Sequence, residues 1–597
     1  MREGLQRFHP SSQVNEGILL PLMKEYTADM VEAALVGTFL GGLGIQSPAN
    51  ELVVETVSKV NDKQRSSIAS YFAGRNLEVS LKNIERALEV IVPHEERKKS
   101  GTFYTPSDVV NYVIQETVAR SPPSVTVCDP ACGMGAFLTT ATEKLSQMSG
   151  QTITETIEKN IFGVDSSSKS IERAKVMLTL LAIERGEDRK RISFNLVTAD
   201  SLLLDWHKTF PTVFQNGGFD VVVGNPPYAS IGQKDIRRYT GRFESLKDAR
   251  RSNLYVLFTE LLLAISRTTS SDSSLVLPLS IAYDESTSVS QLRQVMEGSG
   301  GELHFSFFDR SPDSLFGDAV KTRNCILVRR AGPMQKARVY TTHLLRWNSQ
   351  DRSELFKNIK DQLISDSKVS IVSGIPKVSE SIELQALAVL DSSGHKLSVR
   401  TFGGTDDVVQ ENFDQTGPEA RSVYFYSTAY NWLPVFRKPP LSIDEEGHAY
   451  IPSSLKRFYC ETSNEADFVY ACLSSRVAFW YWVTNGDGFH LSLKFLARLP
   501  FSQSSFDGNN VRELSNLGRA LWARVTKFPI YKVNAGKKIA NYNMLQGYET
   551  IREIDRAIIS QFDLGEGFED FLTKRYLYHV GAGRSSFKNI EMLQKEA

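Results

Sequence analysis

The chain runs to 597 residues, with 69 Lys and Arg against 69 Asp and Glu and a formal charge of zero, and is long enough for roughly three to five ordinary domains. At 41% hydrophobic and 23% charged it reads as folded and globular, which excludes a histone-like polycation and an acidic solvating tail but not a basic cleft within a balanced total. No apolar run reaches the ~20 residues of a membrane helix, and the opening MREGLQRFHPSSQ lacks the apolar stretch of a secretory signal.

Residues 1–100 are predicted helical. Apolar residues recur at three-and-four spacing over Met30–Leu40 and Leu77–Val92, and the basic hinge HEERKKSG closes this part. From 101 to 335 short β-branched runs alternate with helical stretches such as Lys169–Arg185 and Asn253–Ser266. The runs are SVTVCD, NIFGVD, FNLVTAD, FDVVVGNPP, SSLVLPLS and NCILVRR. This alternation predicts an α/β fold with a doubly wound, mostly parallel sheet. Within 336–505, short strand-like runs, aromatics and turns (FGGTDD, WVTNGDGFH) predict a separate, irregular α/β or β-rich domain. Residues 506–597 are predicted helical, with LSNLGRALWARV and ETIREIDRAIISQF the clearest amphipathic stretches.

The chemistry gathers in the central part. In VCDPACGMGAFL a strand ends at Asp129, a turn follows through Ala131, Gly133 and Gly135, and a helix begins. Glycines let backbone approach a ligand closely, and a new helix presents free N–H groups. A tight strand-to-helix connection would read the same way. Two further strands end in acids, Asp165 and Asp200, at the sheet edge where open α/β folds bind ligands. A single strand-end Asp is usually a helix cap; three in order are harder to dismiss. The fourth strand runs into Asn225-Pro226-Pro227-Tyr228. The prolines fix the backbone and remove two donors, so the Asn225 side chain and the Pro226 carbonyl can point outward as acceptors, with Tyr228 as a flat face. Two acceptors and a ring suit a planar substrate with an exocyclic amino group. The bland alternative is a rigid proline turn with a surface tyrosine.

In the order GTFYTP, DPACGMG, VD, AD, NPPY and NLYVLF, residues 100–330 resemble the S-adenosylmethionine-dependent DNA adenine-N6 methyltransferases of the TaqI-like kind. In these, cofactor motifs precede NPPY and a target-recognition domain follows, as in the methylases of restriction-modification systems. The resemblance implies a Rossmann-like class I methyltransferase fold and a C-terminal α/β recognition domain, for which FHLSLKFLARLPF resembles the closing segment. It implies that Thr105 holds the methionine carboxylate and that Asp129, Ala131, Gly133 and Gly135 wrap the methionine part. Asp165 would take the ribose hydroxyls, and Asp200 the cofactor's adenine amino group. Asn225 and Pro226, with Pro227 completing the turn, would bind the target amino group next to the cofactor. Tyr228 would stack on the flipped base and Phe316 cover its other face. Two positions depart from the pattern: Met134 replaces a smaller residue, and the interval from Gly135 to Asp165 is long, for which an extra helical turn or two around Thr139–Ser149 is expected.

Double-stranded DNA is the expected partner. An adenine to be methylated must be extruded from the duplex, and other parts of the chain must hold the flanks. Lys234–Arg251 carries Arg237, Arg238, Arg242, Lys247, Arg250 and Arg251, interleaved with Tyr239 and Phe243, directly after Tyr228. It is the expected DNA contact. For the second basic run, Arg512–Lys538, the solvated-face reading stands ahead. Cys128, Cys132, Cys325, Cys460 and Cys472 form no CxxC pair and no zinc-like spacing. A reduced, cytoplasmic protein with no metal is expected, since a sulfonium is already an activated leaving group. The only acid-x-lysine triplet before the methylase part, Glu96-Arg97-Lys98, lies in the charged hinge with no preceding Pro-Asp. The expectation is therefore a modifying enzyme that does not cut, with any restriction or defence subunit separate. Competing readings keep the fold but change the substrate (cytosine N4, RNA guanine or protein glutamine), or keep DNA binding without turnover.

Overall fold

Runs of β-branched residues that are apolar on both faces suit strands covered by helices on either side. Such runs form the middle of the main sheet. In chain order its strands up to Arg330 are β1 (Val127–Asp129), β2 (Ile161–Asp165), β3 (Asn195–Thr198), β4 (Val221–Gly224), β5 (Asp272–Pro278), β6 (Glu302–Phe308) and β7 (Asn324–Arg330). They lie in the order β6-β7-β5-β4-β1-β2-β3. Pairs β1–β2, β1–β4, β2–β3 and β4–β5 are parallel, and β5–β7 is antiparallel. The fold is thus the expected doubly wound, mostly parallel sheet. Strand β6 is the one not anticipated. Its run ELHFSFF mixes polar and apolar residues and carries few β-branched side chains.

The computed structural model describes residues 16–75, 77, 79–91, 105–317, 322–364, 371–399, 418–534 and 536–576. Gly101–Tyr104, FGGTDD and Glu96-Arg97-Lys98 lie outside them, as does the basic hinge. The chain divides into two compact units, Met1–Phe305 with Leu315–Val339, and Ser306–Ser314 with Tyr340–Ala597.

In the first unit, helices Ala28–Gly42 and Leu81–Val90 share one core with helix Ser168–Glu184, through Leu35, Phe39, Ile84, Leu88, Met177 and Leu180. This explains why Ser168–Glu184 is buried on almost every side. It meets the N-terminal helices as well as the sheet, and a buried ion pair, Arg173 to Glu32 at 2.9 Å, crosses that contact. The long interval before Asp165 is filled differently from expectation. Helix Ala136–Ser149 ends at Gly150, and a separate helix, Ile153–Asn160, follows with a Thr152/Glu155 capping box. The signal TxxE was present in the sequence.

Of the two expectations for 336–505, the described residues fit the irregular α/β one and not the β-rich one. Helices Ser381–Ser392, Ser463–Leu473 and Arg476–Asn485 dominate that stretch, beside a small antiparallel sheet of Ser422–Tyr426 between Val435–Phe436 and Leu455–Tyr459. Tyr470, Phe479, Trp480 and Trp482 are all buried. A helix buried on every face shows no amphipathic period, which is why its aromatics resembled strand residues. The tail carries the expected helices Gly508–Val525 and Tyr548–Phe562, but between them lies an antiparallel ribbon, Ile530–Asn534 against Lys537–Asn541. Alternating runs around Gly536, at φ +76°, make that hairpin. Among the described residues, no helix is long and apolar enough to cross a membrane.

Candidate active site

Strand β1 is flanked by β2 on one side and β4 on the other, so the strand order reverses at β1 and a crevice opens at the carboxyl ends of β1, β2 and β4. The glycine turn occupies this point. Gly133 and Gly135 have φ of +52° and +89°, which other residues adopt only with strain. A Cβ on Gly135 would also press on Ala174 at 3.3 Å. The turn delivers the chain into helix Ala136–Ser149, whose start has no side-chain cap. Its first N–H groups are therefore not taken by a capping side chain. Cys132 N–H bonds Val164 O at 3.0 Å, tying the turn to β2.

The three acids differ in their surroundings. Asp129 is fully buried and accepts from Ala131 N–H at 2.9 Å. Burial pushes its carboxyl up to about 8; the Ala131 bond opposes this, and the neighbouring Asp165 charge adds to it. Gly224 at the end of β4 leaves room for it: a Cβ there would stand 2.7 Å from Asp129 Oδ1. Asp165 accepts from Gly133 N–H at 3.0 Å and from Ser167 N–H at 2.8 Å. Burial raises its pKa too, against the pull of those two bonds. Each of its oxygens keeps a second lone pair for a ligand donor. Asp200 accepts from Leu202 N–H at 3.0 Å and is the most open, with a third of its side chain exposed. A turn of close-approaching backbone and open carboxylate lone pairs on adjacent strand ends fits a ribose-bearing, amino-bearing cofactor.

One residue beyond Gly224, the Asn225 amide is held from both ends. Its Nδ2 donates to Thr105 Oγ1 at 3.1 Å, and its Oδ1 accepts from Tyr228 O–H at 2.8 Å. The Tyr228 hydroxyl also reaches Val276 O on β5 at 3.0 Å, and its ring meets Tyr255 edge-on at 6.4 Å. Burial raises the Tyr228 phenol above its ordinary value, and the nearby Asn324 amide works against that rise. Thr105 is buried, as is Pro226, while Asn225, Pro227 and Tyr228 are half-buried. The structure therefore brings Thr105, Asn225 and Tyr228 into one hydrogen-bonded chain beside Asp129. Phe316 is buried on the stretch leading to residues 318–321, which lie outside the described residues.

Sequence reasoning missed Asn324 and Tyr255 as neighbours of Tyr228. Tyr255 stood within the motif NLYVLF, and its hydroxyl accepts from Ser280 at 2.9 Å. Asn324 comes from an antiparallel strand distant in sequence and carries no local signal.

The basic segment is a loop pinched at its base by the pair Ser230–Ile231 and Ser252–Asn253. Glu260 holds its middle by accepting from Glu244 and Ser245 N–H at 2.7 and 3.0 Å. Arg237, Arg238, Arg242, Lys247, Arg250 and Arg251 all keep access to solvent. Tyr239 and Phe243 are not surface aromatics; both are buried. Tyr239 O–H donates to Asp200 at 3.2 Å, and Arg238 stands 3.6 Å from the same carboxylate. Arg242 donates to Leu203 O at 3.1 Å. Arg238 and Arg242 thus have partners within the fold, which basic spacing alone did not reveal. All five cysteines are buried, and burial raises the Cys128 and Cys132 thiols.

Residues 86–298 match the model of the N-6 DNA Methylase family, about a third of the chain. The methylase subunit of the Type I restriction enzyme MpnII from Mycoplasma pneumoniae is 25% identical over 133 residues, 22% of each chain. The match therefore spans under a quarter of that relative's length. Among solved structures, the Type IIL restriction-modification enzyme MmeI in complex with DNA superposes with a TM-score of 0.51 at 13% identity, covering 87% of this chain and 84% of that one. That likeness is one of fold. A nuclease-deletion mutant of the Type ISP enzyme LlaGI aligns over 90% of this chain and 63% of that one, at 12% identity with a TM-score of 0.47.

Proposed function

We propose that the chain is a site-specific DNA methyltransferase that methylates the N6 amino group of a flipped adenine and serves as the modification component of a cytoplasmic restriction-modification or phage-defence system. The observation that carries this is the Asn225 amide, fixed at both ends by Thr105 and Tyr228 at the carboxyl edge of β4 and beside the glycine turn. The N-6 DNA Methylase match over the same segment supports it.

S-adenosylmethionine, when bound, supplies an electrophilic methyl group on a sulfonium. Asp165 offers its free lone pairs to the ribose hydroxyls, Asp200 to the adenine amino group, and the uncapped helix start with Gly133 and Gly135 receives the methionine part. The bond from Thr105 fixes which end of the Asn225 amide is the acceptor. A carboxamide oxygen has two lone pairs, so Oδ1 can accept a target amino hydrogen while still accepting from Tyr228. With the Pro226 carbonyl taking the other hydrogen, the nitrogen is drawn toward tetrahedral geometry and its lone pair is freed for attack. Catalysis of this kind rests on acceptors already in place before reaction. No strong base is needed. The exposed cations of the loop 232–251 would meet phosphates around the extruded base.

The test is transfer of labelled methyl from S-adenosylmethionine to pools of duplex DNA, RNA and protein, followed by nucleoside analysis. Label in N6-methyladenine supports the reading. Label in N4-methylcytosine would change the base, and label in RNA or protein alone would overturn the substrate.

A further inference from the structure

The hairpin in the tail is an unusual object for a folded protein. Between Glu513 and Glu549 the sequence holds no acid, while Arg519, Arg524, Lys527, Lys532, Lys537 and Lys538 all fall there. The strand Ile530–Asn534 is the outer edge of its small sheet, paired on one side only with Lys537–Asn541, which in turn pairs with Ser442–Ile443. The register sets Tyr531 and Val533 on one face and Ile530 and Lys532 on the other. Both faces are open: Ile530, Tyr531 and Val533 are 51%, 48% and 64% exposed, and Phe528 just before them 62%. Lys532, Lys537 and Lys538 are exposed as well. Ile539 and Ala540, near the base, are partly or wholly covered. The ribbon therefore projects from the unit with apolar side chains and lysines on its surface.

Exposed apolar side chains on a projecting strand are a liability unless something covers them. Two occupants are conceivable, another polypeptide strand or a nucleic acid. A lysine in the middle of the open edge, Lys532, works against edge-to-edge pairing with a protein strand. The local excess of positive charge, in a chain whose total is zero, complements a polyanion. Acids do come near the inner strand, since Asp444, Glu445 and Glu446 follow Ser442–Ile443, which pairs with Ile539 and Lys538, and Glu445 lies along Gly536 at the tip; Lys532 is on the outer strand, one strand further from them. A two-stranded ribbon also matches the width of the DNA major groove, where apolar side chains can contact thymine methyl groups.

We infer that the ribbon Ile530–Asn541 is a DNA-contacting finger, with the face that carries Tyr531 and Val533 toward base edges and the long side chains of Lys532, Lys537 and Lys538 reaching phosphates on either side. This departs from the solvated-face reading of that basic run, and it rests on the proposal that the substrate is duplex DNA. The experiment measures binding of full-length protein to fluorescent duplexes by anisotropy across a salt series. The variants are the triple substitution Lys532→Ala/Lys537→Ala/Lys538→Ala, the same three positions changed to Arg, and Tyr531→Ser/Val533→Ser. The Ala triple should bind every duplex about tenfold or more weakly, and its salt slope should fall by roughly one unit for each phosphate that is no longer neutralised. The Arg triple should retain the wild-type slope. The Ser pair should narrow the ratio between target and unrelated duplexes. Cofactor affinity and melting temperature should stay at wild-type values throughout, because every altered side chain is exposed. Wild-type affinity and slope in the Ala triple would overturn the inference, as would wild-type self-association that these substitutions abolish without changing DNA affinity. Failure of the wild type itself to bind any duplex would instead sink the DNA reading on which the inference stands.

Discussion

The Asn225 amide donates to the Thr105 hydroxyl across 3.1 Å, linking the residue just before helix Ser107–Glu116 to the turn after β4. Thr105 was expected to serve the cofactor. Its observed partner is the residue proposed to hold the target base. The hydroxyl acts as an orienting acceptor, since an amide whose NH₂ end is fixed must turn its oxygen the other way.

Thr105→Val keeps the shape and removes that acceptor, leaving a partly buried amide N–H without its partner. Single-turnover methyl transfer should fall by about tenfold, the scale of ~1–1.5 kcal/mol for one such bond. Cofactor affinity should change little, and Thr105→Ser should recover the rate. A rise in cofactor dissociation constant with an unchanged rate would return Thr105 to the methionine carboxylate.

Asp165→Ala removes the acceptor of Gly133 N–H as well as the proposed ribose partner. A hydrogen bond to a charged acceptor contributes on the order of 1.5–3 kcal/mol. Calorimetry with S-adenosylmethionine should therefore show affinity down by at least about tenfold. Unchanged affinity would mean that another group holds the ribose.

Asp129 predicts a pH dependence of stability. Its folded carboxyl, at about 8, stands above the ordinary unfolded value near 4. The folded state therefore binds this proton more tightly than the unfolded chain. The stabilisation is complete below about pH 4 and is lost as pH rises toward 8. The D129N variant has no such proton to lose. Its stability relative to wild type, measured by cofactor-free denaturation, should climb with pH between 5 and 7 by at most about 1.4 kcal/mol per unit. A flat difference would show that Asp129 is ionised in the fold.

The loop beside Tyr228 calls for a choice of cations. Arg238 faces Asp200 and Arg242 bonds Leu203 O, so neither reports DNA binding cleanly. Neutralising Arg237, Arg250 and Arg251 should weaken binding to all duplexes and lower the salt slope by about one unit for each phosphate left unpaired. An effect restricted to one base position would make them readers of sequence instead.

What the sequence disclosed and what it hid follow from the range of the interactions. Asp129, Asp165, Asp200 and Asn225 sit at strand ends, and local patterns of β-branched runs, glycines and prolines mark those ends directly. The partners of these residues are set by the sheet. Asn324 reaches Tyr228 from an antiparallel strand far along the chain, and Tyr239 reaches Asp200 only because its loop folds back. Neither pairing has a local signature. In the second unit, Arg476–Asn485 has no visible helical period because it is buried on nearly every side. The ribbon around Gly536 was passed over although its alternation was present, because amphipathic helices flank it on both sides.

The most direct test of the central claim is single-turnover methyl transfer to adenine in duplex DNA containing the target, comparing wild type with Asn225→Ala. That substitution removes the proposed acceptor and leaves Asp129, Asp165 and the glycine turn in place. The interaction should matter most as the amino nitrogen becomes tetrahedral, so the loss should fall on turnover rather than on binding. The account predicts a wild type that labels adenine N6 and a variant slower by roughly two orders of magnitude or more, with nearly unchanged cofactor affinity. Near-normal transfer by the variant would contradict it.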